Sequence, residues 1–183
     1  MKADNDLKNK FSFAQKLFSE KKTDESIKIY KDILKENPNF IPALNNLGTA
    51  YEFLGNLAEA ENYYFKCFSI NSTEHVLINN LSNIYLKQEK FNQALIYLKK
   101  SLALNSNQKK IINELALCLF NTNKSQEAIS FCKNQLKIDP NNNFLNKILG
   151  KNLIKLNNHA EGLNYLRIAT GFIEFNGEKI NII

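Results

Sequence analysis

The sequence predicts an all-α fold. The expected architecture is an α-solenoid of five antiparallel helix pairs in a right-handed superhelix, ending in a short apolar tail with a hairpin signal. Three observations carry this. The stretch NNLGTAYEFLGNLAEA at 45–60 returns at a constant offset of 34 residues, as NNLSNIYLKQEKFNQA at 79–94, NELALCLFNTNKSQEA at 113–128 and KILGKNLIKLNNHAEG at 147–162. One offset earlier it is FSFAQKLFSEKKTDES at 11–26. Its large apolar residues are spaced by three and four, as on one face of an amphipathic helix. Finally, 3 prolines and 6 glycines are too few for a strand-rich chain with many tight turns.

The frame needs no insertion or deletion. A leader at 1–6 precedes repeats at 7–40, 41–74, 75–108, 109–142 and 143–176, and a tail at 177–183 follows. The first helix of each repeat carries a large apolar residue at position 7 (Phe13, Leu47, Leu81, Leu115, Leu149) and at position 11 (Leu17, Tyr51, Tyr85, Leu119, Leu153). Between them, position 8 is always small: Ala14, Gly48, Ser82, Ala116, Gly150. A polar or glycine-containing break follows, as in LGN at 54–56 and NTNK at 121–124. The second helix has a small residue at position 20 (Ser26, Ala60, Ala94, Ala128, Gly162) and a large one at position 23 (Ile29, Tyr63, Tyr97, Phe131, Tyr165). Glycine within a helix costs about 1 kcal/mol relative to alanine. A close crossing of the two helices, with Gly48 paired to Ala60, offsets that cost. Repeats end in Asn37-Pro38, Asn71-Ser72, Asn105-Ser106 and Asp139-Pro140, where proline stops the helix and Ser or Asp caps it. In the tail, GFIEFNGEKINII breaks the helical period, and Asn176-Gly177 is a two-residue hairpin signal.

Composition narrows the function. A hydrophobic fraction of 44% supports a folded chain, and no apolar run reaches the roughly 20 residues of a membrane span. The opening MKADNDLKNK lacks the apolar core of a signal peptide, so a cytoplasmic location is expected. Three irregularly spaced cysteines do not form a disulfide framework and are expected to stay free. The net charge of +6 is spread along the chain as solvated lysine, which makes nucleic acid an unfavoured partner.

No catalytic constellation, cofactor motif or metal-ligand spacing stands out, so the reading is of a non-enzyme without a cofactor. His75 and His159 fall near helix starts in different repeats, and Cys118 and Cys132 read as packed thiols. Cys67 reads as a core residue.

Leu47, Gly48, Tyr51, Gly55, Ala60 and Tyr64, with Pro38 and Pro140 at repeat ends, resemble the tetratricopeptide repeat (TPR) family over nearly the whole chain. The departures lie at position 4, where Lys10, Leu44, Ile78, Ile112 and Asn146 replace the family's aromatic. The resemblance implies a concave groove, lined by the first helices, that takes a peptide at positions 2, 5, 9, 12 and 13. Those positions bring Asn45, Thr49, Asn79, Asn83, Lys110, Asn113, Phe120, Phe144, Lys147, Lys151 and Lys155 into the candidate partner-binding set, with Asn46 and Asn80 beside them at position 6. The asparagines resemble the ladder of O-linked N-acetylglucosamine transferases, whose amides hold an extended backbone without reading its sequence. Alternatively they reflect an asparagine-rich composition. Asn83, Lys147 and Lys151 match parts of the co-chaperone carboxylate clamp, but Asn79 and Glu114 stand where Lys and Asn would be needed.

The leading expectation is an interaction scaffold for a protein or peptide partner, with a preference for acidic segments. It acts as a monomer or self-associates weakly through its terminal repeats. One alternative is a targeting module of a larger enzyme, such as a glycosyltransferase, sulfotransferase or oxygenase. A second is an RNA-binding helical repeat.

Overall fold

The computed structural model describes the backbone of residues 2–171, 173–176 and 179–182 and the side chains of 6–171. The chain divides into two compact units, Met1–Leu104 and Asn105–Ile183. The first holds α1 (Lys2–Ser19), α2 (Thr23–Glu36), α3 (Ile41–Phe53), α4 (Leu57–Ile70), α5 (His75–Lys87) and α6 (Phe91–Leu104). The second holds α7 (Lys109–Asn121), α8 (Ser125–Leu136), α9 (Asn143–Lys155), α10 (His159–Thr170), β1 (Ile173–Asn176) and β2 (Lys179–Ile182). Each odd-numbered helix packs on the even-numbered helix after it. Within a unit, each even-numbered helix also packs on the next odd-numbered one.

The core follows the repeat. The small residues at positions 8 and 20 are buried in all five repeats. Leu47, Leu81, Leu115 and Leu149 at position 7 are buried too, each contributing about 1.5–3 kcal/mol by leaving water. Phe13 departs from the pattern at 55% exposure. Leu47 shows why, because it packs in one cluster with Ala14, Ile27, Tyr30 and Ile33 of the preceding repeat. Among the described residues nothing stands in that place for Phe13. On the second helices the deepest residue is not position 23, which is only half-buried, but position 24: Tyr30, Tyr64, Leu98, Cys132 and Leu166 are at most 7% exposed.

The nearest neighbour of Gly48 is the Tyr64 ring rather than Ala60. A Cβ on Gly48 would meet the Tyr64 ring at 2.6–2.9 Å, so it is this ring that closes on the glycine. In the fifth repeat the small-on-small contact does occur, with a Cβ on Gly150 falling 2.7 Å from the Gly162 carbonyl.

The turn inside every repeat is the same. Lys21, Gly55, Glu89, Asn123 and Asn157, all at position 15, have φ between 56° and 76°. In each, the amide of position 16 donates to the carbonyl of position 11, and that of position 15 to position 12, as in Lys90→Tyr85 at 2.8 Å and Glu89→Leu86 at 3.0 Å. This is the Schellman closure of a helix. Caps come from asparagine rather than Ser or Asp: Asn56 Oδ1 accepts from the Glu59 amide, and Asn142 Oδ1 from the Leu145 amide, both at 3.2 Å. In the tail, β1 pairs antiparallel with β2, Asn176 opposite Lys179, so Asn176 closes a strand. Gly177 and Glu178 lie outside the described residues.

Candidate partner-binding surfaces

In the first unit, α3 and α5 bring Asn45, Asn46, Thr49, Asn79, Asn80 and Asn83 together at helix contacts, and internal bonds engage them. Asn80 Nδ2 donates to Asn45 Oδ1 at 2.7 Å, tying the third repeat to the second. Asn46 Nδ2 donates to Tyr30 Oη at 3.1 Å, and Ser101 Oγ donates to Asn79 Oδ1. Thr49 Oγ1 and Tyr64 Oη share a 3.0 Å bond.

Glu52 lies at the centre of this network and was missed in the candidate set. One carboxylate oxygen accepts from Asn83 Nδ2 at 2.8 Å and pairs with Lys87 Nζ at 2.7 Å; the other accepts from Tyr64 Oη at 3.0 Å. A carboxylate that takes three donors fixes the side chains of three helices at once. An asparagine amide offers two donors and an acceptor, so one internal bond leaves it further capacity. Beside this network Phe18 meets Phe53 edge-on, centroids 5.8 Å apart, and leaves Phe53 63% exposed.

In the second unit the candidates fall on α7 and α9. Asn113 Oδ1 accepts from Asn142 Nδ2 at 3.1 Å, and Asn142 is also the cap of α9. Lys151 and Lys155, one turn apart on α9, place their ammoniums 5.7 and 5.6 Å from the Phe120 ring of α7. Lys155 also donates to Asn123 Oδ1. Lys147, one turn before Lys151, is exposed, as is Phe144. Lys110 is turned to Glu114, 3.6 Å away on its own helix. Glu114 is half-buried, and burial pushes its carboxyl above the ordinary value, only partly opposed by Lys110.

Chemistry elsewhere is quiet. Cys67, Cys118 and Cys132 are buried free thiols, each pushed up to about 12 by desolvation, which leaves little thiolate at neutral pH. Among the described residues no group of three or more His, Cys, Asp or Glu could hold a metal ion, and no helix is long and apolar enough to cross a membrane.

Comparison with known proteins agrees with the helix pairing. A tetratricopeptide repeat family model matches residues 29–62. A model described as anaphase-promoting complex, cyclosome, subunit 3, matches residues 87–169. No curated protein sequence matches the chain. Among solved structures, that of YrrB, described as a TPR protein with an unusual peptide-binding site, is similar at TM-score 0.80 and 22% identity, over 88% of this chain and 84% of its own. A MamA structure reaches 0.81 at 20% identity over 90% of both chains. Pseudomonas aeruginosa pilF reaches 0.68 at 15% identity over 96% of this chain and 80% of its own. At these identities the likenesses speak to the fold. With five repeats of 34 residues, each closed by the same left-handed turn, this chain is a tetratricopeptide repeat protein.

Proposed function

We propose that this chain holds an acidic segment of a protein partner on the face of α7 and α9. Tetratricopeptide repeat proteins are typically non-enzymatic scaffolds, and the fold supports a protein-interaction scaffold in general. The observation that carries the finer reading is the Phe120 ring flanked by the ammoniums of Lys151 and Lys155, with Lys147 a turn away. The ring offers an apolar platform and the cations offer point charges without strict geometry, a combination suited to carboxylates beside an apolar side chain. The asparagine contacts of α3 and α5 support a second role for that face, that of a stiff frame. Their bonds hold neighbouring repeats in register, and the amides of Asn45, Asn46 and Asn80 retain capacity for a peptide backbone.

The test is a titration of an acidic peptide library against the wild type and a Lys147→Glu, Lys151→Glu, Lys155→Glu variant at two salt concentrations. Each exposed pair is worth about 0.2–1 kcal/mol, so single changes weaken binding modestly. The triple change turns attraction into repulsion and slows association as well. Undiminished binding by the triple variant would remove this face from consideration.

A further inference from the structure

We propose a second binding site, on the α2–α4 face of the first unit, for an acidic segment that inserts an aromatic side chain. It is independent of the α7–α9 surface and rests on an internal comparison between repeats.

Between α2 and α4 lies a groove of about 630 Å³. Its apolar wall is made by Leu34, Leu44, Tyr63 and Ile70, and Ile70 is 42% exposed. Its charged side chains are Lys31, Lys35 and Lys66, and no carboxylate is among the described residues that line it.

The same place one repeat later is filled. There Phe68 corresponds to Leu34, Tyr97 to Tyr63 and Lys100 to Lys66, each 34 residues on. The Phe68 ring stands edge-on to Tyr97, centroids 5.5 Å apart, and Lys100 Nζ lies 4.4 Å over its face. The tyrosines behind are alike in the two places: Tyr51 stacks on Tyr63 at 5.6 Å, and Tyr85 on Tyr97 at 5.4 Å. The first interval thus has the tyrosine platform and the covering lysine but a leucine where the second has a ring. An aromatic side chain from a partner would complete it, edge-on to Tyr63 and beneath Lys66, which now lies 5.1 Å over Tyr63.

The charge around the opening selects the partner's flanks. Lys66 and Lys31 are exposed, and Lys31 is 5.4 Å from the Tyr51 ring. Lys35 is paired with Asp32 at 2.6 Å, which leaves the first two to meet incoming carboxylates. The ligand is therefore a phenylalanine between Asp or Glu residues, with its ring desolvated and its carboxylates at the surface.

The probe is a fluorescein-labelled peptide with one Phe among Asp and Glu, with controls carrying Ala for Phe or Lys for the acids. Anisotropy is measured in a Lys147→Glu, Lys151→Glu, Lys155→Glu background, so that the signal reports the α2–α4 face. Leu34→Phe supplies the ring from within, as Phe68 does, and is expected to weaken binding at least roughly tenfold while keeping or raising the melting temperature. Lys31→Glu with Lys66→Glu is expected to weaken binding as much while leaving every residue of the apolar wall in place. Either control peptide binds more weakly than the probe. The proposal is overturned if the probe does not bind in this background, if the Phe and Ala peptides bind alike, or if the lysine pair variant binds undiminished.

Discussion

Gly48 was legible as a close contact, but its partner was not. Helical spacing says which face a residue occupies, and Gly48 lies beside the buried Leu47 and the half-buried Tyr51. It cannot say which side chain of the facing helix leans over the gap. That choice went to Tyr64, whose hydroxyl is held by Thr49 and Glu52 on the glycine's own helix. A Cβ at Gly48 meets the ring at 2.6–2.9 Å, and a ring so tethered cannot swing aside. Gly48→Leu should therefore destabilise by about 1–3 kcal/mol in urea unfolding. A loss below roughly 0.5 kcal/mol would contradict the tethered contact. Glu114 gives a prediction of opposite sign. Its side chain is 17% exposed, and its carboxyl is raised from an ordinary 4.5 mainly by desolvation. An acid with a higher value folded than unfolded holds its proton more tightly in the fold. Its contribution is full below pH 4.5 and is lost as pH rises through the raised value. Glu114→Gln should accordingly raise the melting temperature at pH 7 more than at pH 4. An equal shift at both would refute the assignment.

At the scale of elements, the ten described helices were readable because the apolar period and the break recur without a slip. The left-handed residue in the turn that joins each pair carries its own signal at Gly55, Asn123 and Asn157 but not at Lys21 or Glu89. Gly55, Asn123 and Asn157 are residue types that accept a left-handed conformation, whereas Lys21 and Glu89 adopt it against their own preference. The two Schellman bonds at these two sites compel it, and no propensity at either position reveals that. The relief of this strain is measurable. Glu89→Gly should stabilise by about 0.5–1 kcal/mol, the left-handed penalty outweighing the greater entropy of glycine in the unfolded chain. The readout is the urea midpoint, and a lower midpoint would mean that Glu89 is better accommodated than its φ of 56° implies. Phe13 was misjudged for a related reason. Position 7 is buried by the repeat before it, so periodicity alone cannot place that residue in the first repeat.

For the molecule as a whole, family and chemical class were legible, because a solenoid repeats its instructions five times. The candidate surfaces were legible only in part. The lysines of α9 were found by their spacing, but their gathering about Phe120 depends on the packing of α7 against α9. The asparagines formed a visible column, yet Asn45, Asn46, Asn79, Asn80 and Asn113 bond to partners 16 to 35 residues away, beyond what local spacing displays. Position 12 puts Glu52 on the groove stripe, but its part as the hub of the network shows only where Asn83, Lys87 and Tyr64 converge on it.

If the face carrying Phe120, Lys151 and Lys155 receives acidic partner segments, binding must be felt on α7 and α9. Amide chemical-shift mapping tests it most directly, since a 21.1 kDa chain gives resolved spectra. On adding an acidic peptide selected by binding, shifts are expected to move around Phe120 on α7 and from Lys147 to Lys155 on α9, and salt is expected to reverse the movement. Saturable binding with the amides of α7 and α9 unmoved would contradict it.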